Sequence, residues 1–350
     1  MQRTPKTAIA MSGGTDSSMA AHLLREQGHD LIGITLRLWP MPSSKSSDQH
    51  VTDARRVAAA LGIEHHVYSL YEYFEEAIVS PFVDAYATGT TPSPCIMCNV
   101  RVKFGAMLRK AEELGCARLA TGHYARIVEH KERRHVARGL DPAKDQSYFL
   151  FALSQDQLEH ALFPLGSLNK KDVAAEGRAL GLVPHNQSES QDLCFIADGD
   201  YVNFIAQRRP DLCRPGPITD KTGHVLGRHN GFFKYTIGQR RGLGLGGGPW
   251  YVSALRPETN TVEVGRLHDV QDVVAGVDRL NWQCQPPAPG SVLRADVQLR
   301  YAMRPVQAAI HIGENTMCRL QLSEHVTGIT PGQAAVFYDD DRIIGGGWIR

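Results

Sequence analysis

The chain has no run of the roughly 18 uncharged apolar residues that a membrane-crossing helix needs, which excludes a helical integral membrane protein. Its first ten residues carry Arg3 and Lys6 but no long apolar segment, so no signal peptide is expected. Cysteine is sparse, seven residues in 350 at irregular spacings, which is not a secreted disulfide framework. A reducing cytoplasm is the expected setting. An excess of either charge is also missing, since 38 Lys and Arg face 37 Asp and Glu, and net charge therefore names no partner. The dipeptide Gly-Lys does not occur, so there is no Walker A loop. Internal repeats and low-complexity tracts are absent. With 42% hydrophobic and 21% charged residues, the chain is too apolar to be disordered and long enough for two or three domains.

What is present changes character along the chain. The first 200 residues alternate short apolar runs (7–11, 31–36, 63–68, 117–120) with helical patterns (16–27, 53–61, a long helix after Leu70, 99–114, 170–180). That alternation predicts an α/β fold, a doubly wound parallel sheet with helices on both faces. After about residue 210 the period becomes two: Leu293, Ala295, Val297 and Leu299 point one way, as do Val306, Ala308, Ile310 and Ile312, then Cys318, Leu320 and Leu322. Half-buried strands of this kind predict a small β-rich middle domain followed by a C-terminal antiparallel β-barrel. The expected boundaries are 1–205, 206–275 and 276–350. Charge is uneven although balanced: residues 101–138 hold ten Lys and Arg against four acids, and 208–241 hold eight against two. Interleaved with Tyr124, Phe232, Phe233 and Tyr235, these stretches fit a polyanion surface or ordinary solvated faces.

The sharpest local signal is Ser12-Gly13-Gly14-Thr15-Asp16-Ser17-Ser18, between the first strand and first helix. Glycines let backbone N–H groups turn inward, and the helix start adds positive potential, which together make a phosphate site. Asp16 stands where a carboxylate could help hold a metal ion. The loop resembles the SGGxDS signature of the PP-loop ATP pyrophosphatases. Gly242, Gly244 and Gly247 also satisfy G-x-G-x-x-G, but they lie in β-rich sequence and lead into Trp250-Tyr251-Val252, so a flexible loop is expected instead of a dinucleotide site. Cys95 and Cys98 form a C-x-x-C just before a helix, a position that lowers thiol pKa values and favours nucleophilic or metal chemistry. No second Cys or His pair completes a zinc site. Either paired reactive thiols or an iron–sulfur site of Cys95, Cys98 and Cys194 fits the pattern.

Taken in order, the motifs resemble one family over residues 7–347, the tRNA-specific 2-thiouridylases. The matching segments are the loop from Ser12 to Ser17, TPSPCIMCNVRVKF at 91–104, ATGHY at 120–124, GLD at 139–141 with KDQSYF at 144–149, CFI at 194–196, TIGQR at 236–240, Arg300-Tyr301, and PGQ at 331–333 with AVFY at 335–338. The resemblance implies ATP contacts at Ala10, Met11, Ser12, Gly13, Gly14, Thr15, Asp16, Ser17, Leu36 and Gly122, with Mg2+. It implies Cys98 as nucleophile and Cys194 as the persulfide carrier. Ser93, Pro94 and Cys95 would lie beside the target base, and His123, Lys144, Asp145, Gln146, Arg300, Tyr301 and Gln333 would contact tRNA. The resemblance also implies a part in tRNA binding for the middle domain, 206–275, and a partner protein that carries persulfide sulfur, with no membrane.

The implied chemistry is adenylation of the wobble-uridine C2 oxygen, sulfur transfer, and release of AMP and pyrophosphate. Familiar members have aspartate where this chain has Cys95. That departure leaves open a second route for sulfur, delivery by a 4Fe–4S cluster held by Cys95, Cys98 and Cys194. Other adenylating PP-loop synthetases, or a non-catalytic RNA-binding protein, are the alternative functions.

Overall fold

The computed structural model describes residues 6–39, 48–182, 193–196 and 199–350. The N-terminal part is built on a parallel sheet in the order β3-β2-β1-β4-β7, from β1 (Lys6–Ala10), β2 (Leu31–Arg37), β3 (Glu64–Ser69), β4 (Cys116–Ala120) and the short β7 (Ala161–Leu162). β1 and β2 are buried almost throughout, as strands covered on both faces must be. Helices α1 (Thr15–Glu26) and α2 (Gln49–Leu61) pack Met19, Ala20, Leu24, Ala54 and Val57 against Ile9 and Leu31 on one face. The helical run from Tyr71 to Ala87 and the one from Pro94 to Glu113 cover the other, with Phe74, Phe82, Val102 and Phe104 in its core. Successive strands run outward from β1 in one direction and then jump to β4 on its other side. Loops leaving β1 and β4 therefore part around a crevice at the carboxyl ends of the strands.

The second of those runs differs from the expected α-helix at 99–114. One turn, Pro94–Met97, passes into a π segment, Cys98–Met107, before α geometry resumes at Leu108–Glu113. Gln157 answers the widened turn, since its Nε2 donates to the carbonyls of Val100 (2.8 Å) and Phe104 (2.9 Å).

A hairpin, β5 (Ala125–His130) and β6 (Arg133–Arg138), lies within the stretch read only as basic. It leaves the parallel sheet and joins the last one through Ala137 and Arg342. Its pairing partner lies about two hundred residues away, and no local pattern announces it.

The middle part is a four-stranded mixed sheet, β10-β11-β8-β9, of β8 (Pro215–Thr219), β9 (Val225–Asn230), β10 (Tyr251–Arg256) and β11 (Thr261–Gly265). The last part follows the order β12-β15-β14-β13-β16-β17 and closes where β12 (Gln271–Trp282) also pairs with β17 (Arg342–Ile349). The other strands are β13 (Val292–Gln298), β14 (Val306–Ile312), β15 (Cys318–Thr327) and β16 (Ala334–Asp339). The expected period-two residues from Ala295 to Leu322 fill this barrel. The expected boundary 205/206 lies within the helix Tyr201–Arg208, and 275/276 lies within β12.

Candidate active site

The loop after β1 has the form a phosphate cradle requires. Gly13 has φ +74°, and a Cβ there would lie 2.6 Å from the His50 carbonyl oxygen and 2.7 Å from the Asp53 Cβ. α2 thus presses the loop so closely that only glycine fits. Gly14 is the N-cap of α1 in an extended conformation, and no side chain caps the helix. Among the described residues the first-turn N–H groups of α1 have no side-chain partner, and they face the crevice end of the strands. Ser17 Oγ donates to the Gly14 carbonyl (3.1 Å), lies 3.1 Å from Ser12 Oγ and accepts from the Ser12 N–H (3.2 Å). Met11 N–H bonds to the Ile34 carbonyl (2.8 Å), which ties the loop to β2, where Leu36 follows two residues on. Gly122 crosses from the β4 side, so close that a Cβ would lie 2.9 Å from the Asp16 carbonyl carbon and 3.0 Å from the Ser17 nitrogen. Ala10 to Ser17, Leu36 and Gly122 are thus gathered at the ends of β1, β2 and β4. The uncapped helix start and the glycine-only contacts fit a bound triphosphate.

Asp16 does not stand free as a metal ligand. Both its carboxylate oxygens accept from Lys170 Nζ (2.6 and 2.8 Å), and Oδ1 also accepts from the Tyr124 hydroxyl (2.9 Å). A divalent cation on Asp16 does not fit this arrangement unless Lys170 is displaced. Lys170 opens the helix Lys170–Ala179, and its own N–H is held by Asp141 Oδ2 (3.1 Å). Sequence reasoning missed it; its signal was a lysine at the start of a helix, where cations are disfavoured unless an anion lies opposite.

The cysteines come from two places. Cys95 and Cys98 belong to the turn and π segment after Ser93 and the buried Pro94. Cys194 is held beside them by its neighbour Phe195, which packs edge-on against Phe82 (5.3 Å) and Phe74 (5.8 Å). All seven thiols are free. Cys95 and Cys194 are reached by solvent, with many protein atoms packed around them, while Cys98 is half-buried. Burial is the leading effect on each thiol and raises its pKa; Cys194, raised further by Cys98 and then Cys95, is pushed up to about 12. The expected net lowering by a helix start gives way to a rise. Cys95 and Cys98 do lie in the first turns of the run from Pro94, but desolvation outweighs whatever the helix start supplies.

What opposes desolvation at all three thiols is the ammonium of Lys103. In an α-helix, residues five apart are rotated by about 140°. Bonds running i→i+5 bring Lys103 round toward the side of Cys98, a use of a π segment at a functional position. Lys103 Nζ lies 3.2 Å from His123 Nε2, and Thr121 Oγ1 lies 2.6 Å from Nδ1. An ammonium only donates, so Nε2 is the acceptor and Nδ1 carries the proton. Burial and then Lys103 hold His123 well below its usual range, hence neutral.

Among the described residues no three His, Cys, Asp or Glu side chains are grouped to hold a metal.

The expected tRNA contacts separate into two kinds. His123 is 8% exposed and engaged with Thr121 and Lys103, so it presents no surface to a polyanion. Asp145 accepts from Arg138, the Gly139 N–H and Ser147, and Gln146 accepts the Tyr124 N–H, so both shape their loop. Tyr301 is exposed and its ring lies 4.4 Å from that of Phe149. Arg138 reaches Asp145 and Gln298, and Gln298 Nε2 donates to the Arg300 carbonyl, which brings the 144–149 loop and the exposed Arg300-Tyr301 corner together. Gln333 Nε2 donates to the Thr91 carbonyl (2.8 Å), and the Thr91 N–H donates to the Pro331 carbonyl (2.9 Å). A barrel turn is therefore clamped onto the segment that leads into Cys95.

A nucleotide cradle at the switch point of a parallel sheet, three thiols facing a lysine held at the same strand exit, and two appended β-units define a nucleotide-using enzyme of the HUP-domain type. Comparison with known proteins agrees. Residues 5–198 match the model described as tRNA methyl transferase HUP domain, 202–266 its PRC-barrel domain, and 274–349 the aminomethyltransferase beta-barrel domain. The tRNA-specific 2-thiouridylase MnmA of Syntrophotalea carbinolica is 43% identical, covering 97% of each chain. That of Moorella thermoacetica is 44% identical, covering 98% of each. The chain belongs to the tRNA-specific 2-thiouridylase family. A solved 4-thiouridine synthetase–RNA complex with bound ATP aligns at TM-score 0.39 and 17% identity over 59% of this chain and 51% of that one, too distant to carry an argument.

Proposed function

We propose that this protein is a tRNA-uridine 2-sulfurtransferase that thiolates the wobble uridine of tRNA with ATP. One observation carries the reading. Within the four residues from Thr121 to Tyr124, Gly122 touches the nucleotide loop, Tyr124 bonds Asp16, and His123 holds the lysine that faces the thiols. Activation and sulfur transfer thus share one strand exit, so a base adenylated at the loop lies beside the sulfur.

The uridine C2 oxygen attacks the α-phosphorus of ATP and pyrophosphate leaves. The backbone donors at the start of α1 stabilise the developing charge, and the loop forms no covalent bond. The terminal sulfur of a persulfide on Cys194 then bonds to C2, and the C2–oxygen bond breaks to release AMP. The Cys98 thiolate attacks Cys194 Sγ, the S–S bond to the base breaks with its electron pair, and 2-thiouridine departs. Cys98 and Cys194 are left as a disulfide, which an external dithiol reduces. Lys103 stabilises the thiolates this sequence requires. A bound base must leave the anticodon stack, which a single-stranded loop makes inexpensive.

The persulfide reading is taken first because it needs only Cys98, Cys194 and the donor's sulfur; delivery by a 4Fe–4S cluster on Cys95, Cys98 and Cys194 is the second reading. Against a simple adenylating synthetase, or an RNA-binding protein without catalysis, stand the intact loop and the gathered thiols. The reading entails a persulfide-carrying donor protein, a reducing cytoplasm, and RNA on the Lys144, Arg300 and Tyr301 face, with Ser93, Pro94 and Cys95 beside the base. The direct test is 2-thiouridine formed from tRNA, ATP and a persulfide donor, with pyrophosphate counted in parallel. Pyrophosphate released without tRNA at the same rate would overturn the reading.

A further inference from the structure

Lys103 is partly buried, and among the described residues no carboxylate pairs with it. Its polar partner is the His123 ring, with Nε2 3.2 Å from Nζ. A lysine withdrawn from water normally meets an anion, because a buried ammonium without one is costly. An imidazole offers a lone pair and no charge. It therefore fixes where the ammonium stands and cancels none of its field, whereas a carboxylate in the same place would hold the lysine more firmly and neutralise it.

The rest of the arrangement keeps that holder neutral and in one tautomer. His123 is buried, with the Phe163 ring edge-on at 5.7 Å and the Phe104 ring at 6.5 Å, surroundings that disfavour a charged imidazole. Thr121, also buried, accepts the Nδ1 proton at Oγ1 (2.6 Å), which leaves Nε2 bare for the lysine. Its own N–H is tied to the Leu162 carbonyl (3.0 Å), so the hydroxyl is carried on a fixed strand exit. Without that acceptor the proton would be free to shift to Nε2 and meet the ammonium donor to donor.

At rest the field of Lys103 has no anion to act on. Burial raises the pKa of the three thiols it reaches, so they stand protonated, and a bound triphosphate has donors of its own at the start of α1. A persulfide differs from both. Its terminal S–H ionises more readily than a thiol, because the charge is shared with the neighbouring sulfur, and it must be an anion to attack C2.

We infer that Thr121 and His123 are positioning residues for sulfur transfer, which hold the Lys103 ammonium uncompensated so that it receives the terminal sulfur anion of a persulfide on Cys194. The inference rests on the persulfide form of the proposed function. The ammonium pairs with that sulfur until the sulfur bonds to C2. The C2–oxygen bond then breaks, AMP leaves with its electron pair, and Lys103 keeps its proton throughout. Lys103 thus meets the reacting atom, and Thr121 and His123 act through it.

Glutamine and glutamate at position 123 share one shape, place an oxygen about where Nε2 lies, and differ in charge. The test is a single turnover of tRNA with ATP and full-length enzyme whose Cys194 has been loaded from inorganic polysulfide. The wild type is expected to give equal amounts of 2-thiouridine and pyrophosphate. His123→Gln should keep its thiolation rate within about fivefold of wild type, while His123→Glu should lose about 30- to 100-fold. The ratio of 2-thiouridine to pyrophosphate should drop early in the His123→Glu reaction, because adenylated tRNA waits for sulfur. Thr121→Val should lose about 3- to 10-fold, and Thr121→Ser should restore the rate. Circular dichroism and Tm check each fold, and the Thr121 pair decides should His123→Glu not fold. Equal rates in the glutamine and glutamate variants overturn the inference, as does a wild-type rate in Thr121→Val. So does a loss in which both products fall together, which would assign Lys103 to nucleotide or RNA binding. A wild type that releases pyrophosphate with tRNA yet makes no 2-thiouridine overturns the proposed function instead.

Discussion

Removal of Lys170 tests whether its ion pair with Asp16 sets up the nucleotide loop. Lys170 is 11% exposed and Asp16 36%, so the pair lies between an exposed bridge and a buried one. Exposed bridges contribute about 0.2–1 kcal/mol, and removing one partner of a buried pair costs about 3–5 kcal/mol. For a half-buried pair with two bonds of 2.6 and 2.8 Å, Lys170→Met should cost about 1–3 kcal/mol. Methionine keeps the apolar stem, so the loss is assigned to the charge. Asp16→Asn should cost a similar amount, because it leaves the ammonium without its carboxylate. In the double variant no charge is stranded, and its loss should be smaller than the sum, with a coupling of about 1–2 kcal/mol. Urea unfolding of the four proteins measures the cycle, and tRNA-dependent pyrophosphate release measures its functional side. Both single variants should lose at least about tenfold in release, which is about 1.4 kcal/mol at the transition state, while tRNA affinity by filter binding stays near wild type. A coupling below about 0.3 kcal/mol together with normal release by Lys170→Met would refute the reasoning.

The remaining expectations concern the thiols and the π segment. Cys95→Asp should keep substantial thiolation, whereas Cys98→Ser and Cys194→Ser should each lose nearly all of it; loss of activity and of iron together in Cys95→Asp, prepared without oxygen, would favour the cluster route. Because burial raises the pKa of all three thiols, iodoacetamide labelling of Cys98 and Cys194 should still be climbing above the ordinary thiol range near 8.5, and a plateau there would contradict the burial argument. The sign for stability follows from the same shift: the unfolded chain gives up these protons first, so stability is intact below about 8.5 and declines as pH rises past it, which pH-dependent urea midpoints can follow. Gln157→Leu leaves the carbonyls of Val100 and Phe104 without their side-chain donor and should cost about 1–3 kcal/mol, with thiolation reduced as the π segment loosens; an unchanged melting temperature would rule out that support.

The parts legible in the residues are those whose cause is local. Ser12 to Ser18 announce a phosphate loop because a strand, two glycines and a helix start are consecutive, and the structure places them so. Ala295, Ala308 and Leu320 announce a barrel wall because a strand buries every second residue and nothing distant alters that period. Even the non-helical nature of the run from Gly242 to Gly247 was readable from its neighbours. Where cause and residue lie far apart, the tertiary structure alone decides. Asp16 resembles a metal ligand until Lys170, 154 positions away, occupies both its oxygens. The basic stretch at 125–138 is a hairpin because β17 supplies an edge for it to join. Cys98 reads as an acidic thiol at a helix start and becomes a weak one because burial belongs to the assembled fold and to no residue. Propensity and period act over a few residues, whereas desolvation, ion pairing and strand closure act on whatever the chain has brought together.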